Sequence, residues 1–247
     1  MPSVKPVLYV FAISHYCEKA RWALDTLGLD YELRHVAPGE HMEIAKKLGA
    51  PRSSVPYLSL DGQVIQGSAD IINWAEKVSS SDTSLTPDAE ACEKIEKRID
   101  DIAGVHVRRF YYSEALVEHS STIRPIFTRD LPLAKKLMIS LGWGKIRKIM
   151  ISRMDLGARQ GEESKNILND ELNWIDELLA DGRTYLVGDR FSRADIAVAS
   201  ILAPLALPSA HPVYCRLQHP PRMTQKLSDW ESRASLKWVH DVYEKHR

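Results

Sequence analysis

Val7-Leu8-Tyr9-Val10-Phe11-Ala12-Ile13-Ser14-His15-Tyr16-Cys17-Glu18-Lys19-Ala20-Arg21-Trp22-Ala23-Leu24 runs a strand into a helix, with a hydroxyl and a thiol at the junction. Val7 to Ile13 is β-branched, aliphatic and aromatic, as a buried strand should be. From Cys17 onward the apolar residues change to helical spacing at Ala20, Ala23, Leu24 and Leu27, and Gly28 stops the helix. Ser14 and Cys17 therefore stand at a helix N-terminus, where N–H groups and the macrodipole favour an anion. Such a place suits binding or generating a thiolate. Ser14-x-x-Cys17 has the spacing of a thioredoxin-type C-x-x-C with serine in the first position. Taken singly, Ser14 reads as an N-cap and Cys17 as a small packed residue.

Further along, Ser53-Ser54-Val55-Pro56-Tyr57-Leu58-Ser59-Leu60-Asp61-Gly62-Gln63-Val64-Ile65 reads as strand, Asp-Gly turn, strand. Pro56 opens the first of these strands, where it owes the ladder no N–H. In Gln66-Gly67-Ser68-Ala69-Asp70-Ile71-Ile72-Asn73-Trp74, Ser68 is expected to cap a helix carrying Ile71, Ile72, Trp74 and Ala75. A second strand at Tyr31–His35 and a helix near Met42–Leu48 complete a β-α-β-α-β-β-α order. The product is a mixed four-stranded sheet with a crossover, about 80 residues long, a reasonable size for a domain.

Residues 1–78 resemble the thioredoxin-like N-terminal domain of cytosolic glutathione transferases. The resemblance rests on Ser14-His-Tyr-Cys-Glu-Lys-Ala-Arg21, Val55-Pro56-Tyr57-Leu58 and Gly67-Ser68-Ala69-Asp70-Ile71, in this order and spacing. It implies that Ser14 occupies the place of the family's catalytic hydroxyl or thiol, as in the serine-type Tau and Zeta classes. Cysteine-type classes such as Omega carry cysteine at that position. Tyrosine-type classes use a phenol from the end of the first strand. Alignment on Arg21-Trp22 puts Val10 there, so Tyr9 is one residue out and faces the other side of the sheet. The resemblance further implies that the Val55 backbone pairs with the cysteinyl part of glutathione and that Pro56 is cis. The γ-glutamyl end falls to Ser68 and its neighbours. Gly67 stands where an acidic or amide residue is usual, with Gln66 one position early. The glycyl carboxylate needs a cation, for which His41 and Arg52 are the candidates.

The rest of the chain matches the family's all-helical second domain. Residues 79–88 form a polar linker rich in turn formers. Residues 89–247 show helical periodicity at Glu90–Tyr112, around Pro132–Met154, at Asn166–Leu179 and at Arg193–Leu207. Ser192 and Asp195 form a capping box before a core helix, so Asp195 is read as a folding residue and not as a catalytic acid. The segment 113–160 is longer than the usual connection. Its stretch Leu131–Met150 mixes apolar and basic residues, with a break expected at Gly142-Trp143-Gly144. It reads as an extra helix pair with a solvated basic face, and membrane binding is not expected.

With 247 residues, 44% of them hydrophobic, two cores can be filled. A net charge of zero excludes an electrostatic case for nucleic acid. Cys17, Cys92 and Cys215 make an odd set without metal spacing, which points to a reducing cytoplasm and to no metal site. No signal peptide is read in the first residues and no run of 18 apolar residues occurs.

The resemblance implies an enzyme that activates the glutathione thiol as co-substrate for conjugation to a small hydrophobic electrophile, and a homodimer. Arg108, Phe110, Tyr111 and Tyr112 are the candidates for the second-substrate wall. Two alternatives stand beside it. Cys17 as a thiolate would support thiol transfer or deglutathionylation. A catalytically silent binding protein on the same fold is the other, since fold does not settle function.

Overall fold

The computed structural model describes residues 5–214, 217 and 219–247. Met1 to Val4 and Cys215 lie outside the described residues. The chain divides into two compact units. The first holds the described residues through Leu85 together with Ile126–Ile146, and the second holds Thr86–Pro125 and the described residues from Arg147 to Arg247.

In the first unit the elements are β1 (Val7–Val10), α1 (His15–Thr26), β2 (Glu32–His35), α2 (Glu40–Leu48), β3 (Tyr57–Leu60), β4 (Gln63–Gln66) and α3 (Ser68–Val78). The four strands form one mixed sheet in the order β2-β1-β3-β4. β1 runs parallel to β2 and antiparallel to β3, and β4 closes the hairpin. Asp61 and Gly62 both have positive φ, the turn that an Asp-Gly pair favours between right-twisted strands. Alternation along the strands separates two cores. Tyr9, Val36, Ala45 and Tyr57 form one cluster, with Ile44 and Leu48 of α2 against it. α1 packs against α3, with Trp22, Leu24, Ile71 and Ile72 buried.

Gly67, not Ser68, caps α3. The Gly67 carbonyl accepts the first helical bond, from Ile71 N at 3.0 Å, and Ser68 is the first residue of the helix. The cap sits at φ +106°, where any side chain would be strained, so glycine takes the position and the serine moves one residue inward.

The later elements are α4 (Ala89–Arg98), a single wide π turn (Ile99–Ala103), α5 (Gly104–Ala115), α6 (Ser120–Thr128), α7 (Leu133–Arg153), α8 (Ala158–Leu178), α9 (Arg193–Ala206), α10 (Pro221–Ser228) and α11 (Ala234–His246). Within the second unit α5 packs on α8, and α9 is covered by α4 and α11. α9 is buried along nearly its whole length. Its N-terminus carries the capping box: Ser192 N donates to Asp195 Oδ2 at 2.8 Å, and Leu186 N donates to Asp195 Oδ1 at 2.8 Å.

α7 is continuous through Gly142 and Gly144, against the break expected there. Trp143 between the glycines is buried, and its ring lies 6.0 Å from that of Phe127. Burying an indole outweighs the roughly 2 kcal/mol that two helical glycines cost.

Candidate functional site

The sheet's register brings the sequence-predicted residues to one end. Val10, the last residue of β1, stands beside His35, the last of β2. Tyr57, the first of β3, stands between Tyr9 and Gln66. The segments leaving β1, β2 and β4, and the segment entering β3, therefore emerge together. They carry Ser14, His41, Gly67 with Ser68, and Val55 with Pro56 respectively.

Ser14 has extended backbone and caps α1, its Oγ accepting from Cys17 N at 3.3 Å. The cap reading of Ser14 therefore holds, and it also fixes the hydroxyl at the positive end of the helix dipole. The side chain is half-buried. Cys17 lies a turn deeper and is buried. Burial pushes its thiol up to about 12, against the lowering effects of Ser14, the Phe11 backbone and Arg21. Enclosure by protein favours the thiol form at neutral pH and so speaks for the Ser14 reading over the Cys17 alternative.

Val55-Pro56 is cis. Gly67 N donates to Pro56 O at 3.0 Å, which ties the strand entry to the cap of α3. Gln66 holds the loop before Pro56 in place. Its Oε1 accepts from Arg52 N at 2.8 Å, and its Nε2 donates to Arg52 O at 2.6 Å and Ser54 O at 2.8 Å. Both amide protons are spent on the loop before Pro56, so the side chain has no donor left for a ligand.

The space over Gly67 is charged on two sides. A Cβ there would lie 3.7 Å from Arg52 Nη2 and 3.8 Å from Asp70 Oδ2. Both of these side chains are exposed. A cation and a carboxylate thus flank the buried Ser68 and the N-terminus of α3. Asp70 was not singled out from the sequence. The signal was there, since an acid two residues after the serine falls in the first turn of the helix.

His41 opens α2. Its Nδ1 is 3.1 Å from Gly39 N and 3.3 Å from Ala37 O, and its ring meets Phe11 edge-on at 4.8 Å. Tyr57 OH donates to His41 O at 3.0 Å. Phe11 in turn lies 6.5 Å from Phe127, so Ile126–Ile146 is seated beside this end of the sheet. Lys135 is paired with Glu40. Burial opposes ionisation of Glu40, but Lys135 and the Ala37 N–H outweigh it and hold the carboxyl below its usual range. Tyr9 stacks on Tyr57 at 5.0 Å in the cluster facing α2, away from the α1 face.

The three aromatics expected at a second-substrate wall are buried in the second unit. Phe110 packs on Trp230 at 5.1 Å, and Tyr111 is hydrogen-bonded to His219 Nε2 at 2.9 Å and packs near Tyr214. Tyr112 is buried with its ring 6.0 Å from that of Tyr111. All three are interior residues of the second unit, because the apolar stripe of α5 serves its own core. Arg108 is exposed. Among the described residues no group of three or more His, Cys, Asp or Glu is placed to hold a metal.

A thioredoxin-like unit with a serine-capped first helix, a cis proline entering the third strand and a capped third helix, followed by a helical unit, defines a class of two-part proteins. Family models agree in both halves: the glutathione S-transferase N-terminal domain matches residues 8–81 and the C-terminal domain matches residues 147–216. The chain belongs to the cytosolic glutathione transferase superfamily. It is 27% identical over 212 residues to glutathione S-transferase TCHQD of Arabidopsis thaliana, covering 81% of this chain and 77% of that one. Glutathione transferase GSTFuA3 from Phanerochaete chrysosporium shares the fold with a TM-score of 0.65 at 17% identity, over 99% of this chain and 98% of that one. A glutathione S-transferase from Methylobacterium radiotolerans, in complex with glutathione sulfonate, superposes with a TM-score of 0.53 at 22% identity, over 95% and 93%.

Proposed function

We propose that this protein is a glutathione transferase in which the Ser14 hydroxyl holds the glutathione sulfur as a thiolate for attack on a small hydrophobic electrophile. The observation that carries this reading is the placement of Ser14. Its oxygen accepts the Cys17 N–H, which strengthens its own O–H as a donor, and the helix dipole adds to the field at the same point. Ser14 keeps its proton. The thiol proton goes to water, and the sulfur lone pair forms the new bond to the electrophile while the displaced pair leaves with the leaving group. The hydroxyl lowers the energy of the charge, as a preorganised donor does.

The backbone of Val55 would meet the cysteinyl part. His41 is the candidate for the glycyl carboxylate. Arg52, Asp70 and Ser68 would take the γ-glutamyl end, guanidinium to carboxylate and Asp70 to ammonium. On this reading Asp70 supplies the acid that Gly67 cannot. The names of the Arabidopsis relative and of the glutathione sulfonate complex support the choice of co-substrate. The reading extends to a symmetric homodimer acting in detoxification in the cytoplasm.

Conjugation of a chlorinated nitrobenzene tests it. Ser14→Ala should lower kcat/KM by about 10²–10³ while retention on immobilised glutathione changes little. A lost cap is expected to cost about 1 kcal/mol, read separately by thermal melting. Full turnover in the variant would reduce Ser14 to a cap. Failure of the wild-type protein to be retained would favour a silent homologue.

A further inference from the structure

α7 is apolar on two opposite faces. One carries Ile139 and Trp143 into the protein. The other carries Leu133, Leu137 and Leu141 at successive turns, with Met138 alongside; they are 83%, 63%, 81% and 63% exposed. Four large aliphatic side chains in one stripe, standing proud of the surface, exceed the scattered exposure that needs no explanation. The same face runs on to exposed Lys145 and Lys148, and Lys136 flanks it. From Leu131 to Arg153 there are six basic residues (135, 136, 145, 147, 148 and 153) and no acidic one, in a chain of zero net charge. Lys135 is taken by Glu40, and Arg147 donates to Leu116 O and Val117 O. Among the described residues, Lys136, Lys145 and Lys148 form no ion pair.

The sequence alone predicts no membrane binding here, but on the exposed leucine stripe we propose that this face of α7 docks peripherally on an anionic lipid surface. The helix would lie in the headgroup layer, leucines toward the acyl chains and lysines reaching phosphates and carboxylates. No described helix is long and apolar enough to cross a membrane, so the contact is with one leaflet. Charge selects this occupant over a second copy. A twofold contact would set the lysine-bearing face against itself with no carboxylate on that face to relieve it. Shape selects it over a peptide. The leucines, 63–83% exposed, stand out as a ridge, which a bilayer accommodates more readily than a single peptide does. The proposal is independent of the glutathione reading.

Sedimentation of the intact protein with extruded vesicles tests it. Partition onto phosphatidylcholine mixed with phosphatidylserine should exceed that onto pure phosphatidylcholine by about tenfold or more, and should fall as salt is raised. Leu137→Glu/Leu141→Glu and Lys145→Glu/Lys148→Glu should each lose that partition about tenfold with an unchanged thermal transition, because the replaced side chains are already in water. Absence of binding, equal binding to both vesicle types, or full binding by both variants would overturn it. So would a lipid-free assembly that Leu137→Glu/Leu141→Glu dissolves, which would give the face to a second copy.

Discussion

Ser14 and Cys17 are three residues apart and chemically unequal. The hydroxyl is at the surface of the helix end, and the thiol is a turn inside it. With the thiol held near 12, the thiolate fraction at neutral pH is negligible. Iodoacetamide should therefore modify Cys17 roughly 10³-fold more slowly in the folded protein than in urea, followed by mass spectrometry of its peptide. Rapid labelling of the native chain would restore the thiol-transfer reading. On the proposed reading, Arg52 and Asp70 would serve glutathione binding and not the chemical step. Asp70→Asn should raise KM for glutathione about tenfold with kcat nearly unchanged. A fall in kcat alone would show that the pair acts elsewhere. The Ser14 cap was legible because a hydroxyl directly before a helical run is a favoured N-cap. Asp70 and the spent amide of Gln66 were not, because a sequence shows the side chains available and not which neighbour claims them.

At the scale of elements, the sheet and its helices follow from alternation, turn chemistry and spacing, as with the Asp61-Gly62 turn and the Ser192–Asp195 box. The departures are at Gly67 and Trp143, where a backbone angle or a tertiary contact overrode a local preference. The buried box makes its own prediction. Burial raises the Asp195 carboxyl to about 6, above the usual 3.8. A raised acid contributes stability that is fully present below its unfolded value and is lost as pH rises through the folded one. Asp195→Ala should cost about 1–3 kcal/mol by urea denaturation, and more at about pH 4 than at about pH 7. A cost that grew with pH would mean that the carboxylate, not the acid, is the form the fold prefers.

For the whole molecule, the homodimer is the prediction that the sequence supports least directly, since no residue pattern marks a twofold face. Light scattering at micromolar concentration should return about twice the 28.0 kDa chain mass, in keeping with the commonest closed symmetry. A mass at the single-chain value would defeat it. The division of the chain was equally hard to read ahead. Residues 126–146 look like part of a helical array from their period, and only Phe11, Glu40 and His35 show where they belong: Phe127, Lys135 and Asp130 meet them.

That division bears on how the protein is made. The N-terminal unit is discontinuous in sequence, so the ribosome delivers its sheet long before the stretch ending at Ile146 that completes it. The intervening residues to Pro125 belong to the other unit and emerge in between. Closing the first unit thus waits on a loop of distant chain, a contact of high sequence separation and slow formation. A nascent chain paused before that stretch would present an unfinished flank around Phe11, His35 and Glu40, the kind of surface on which chaperones act during synthesis.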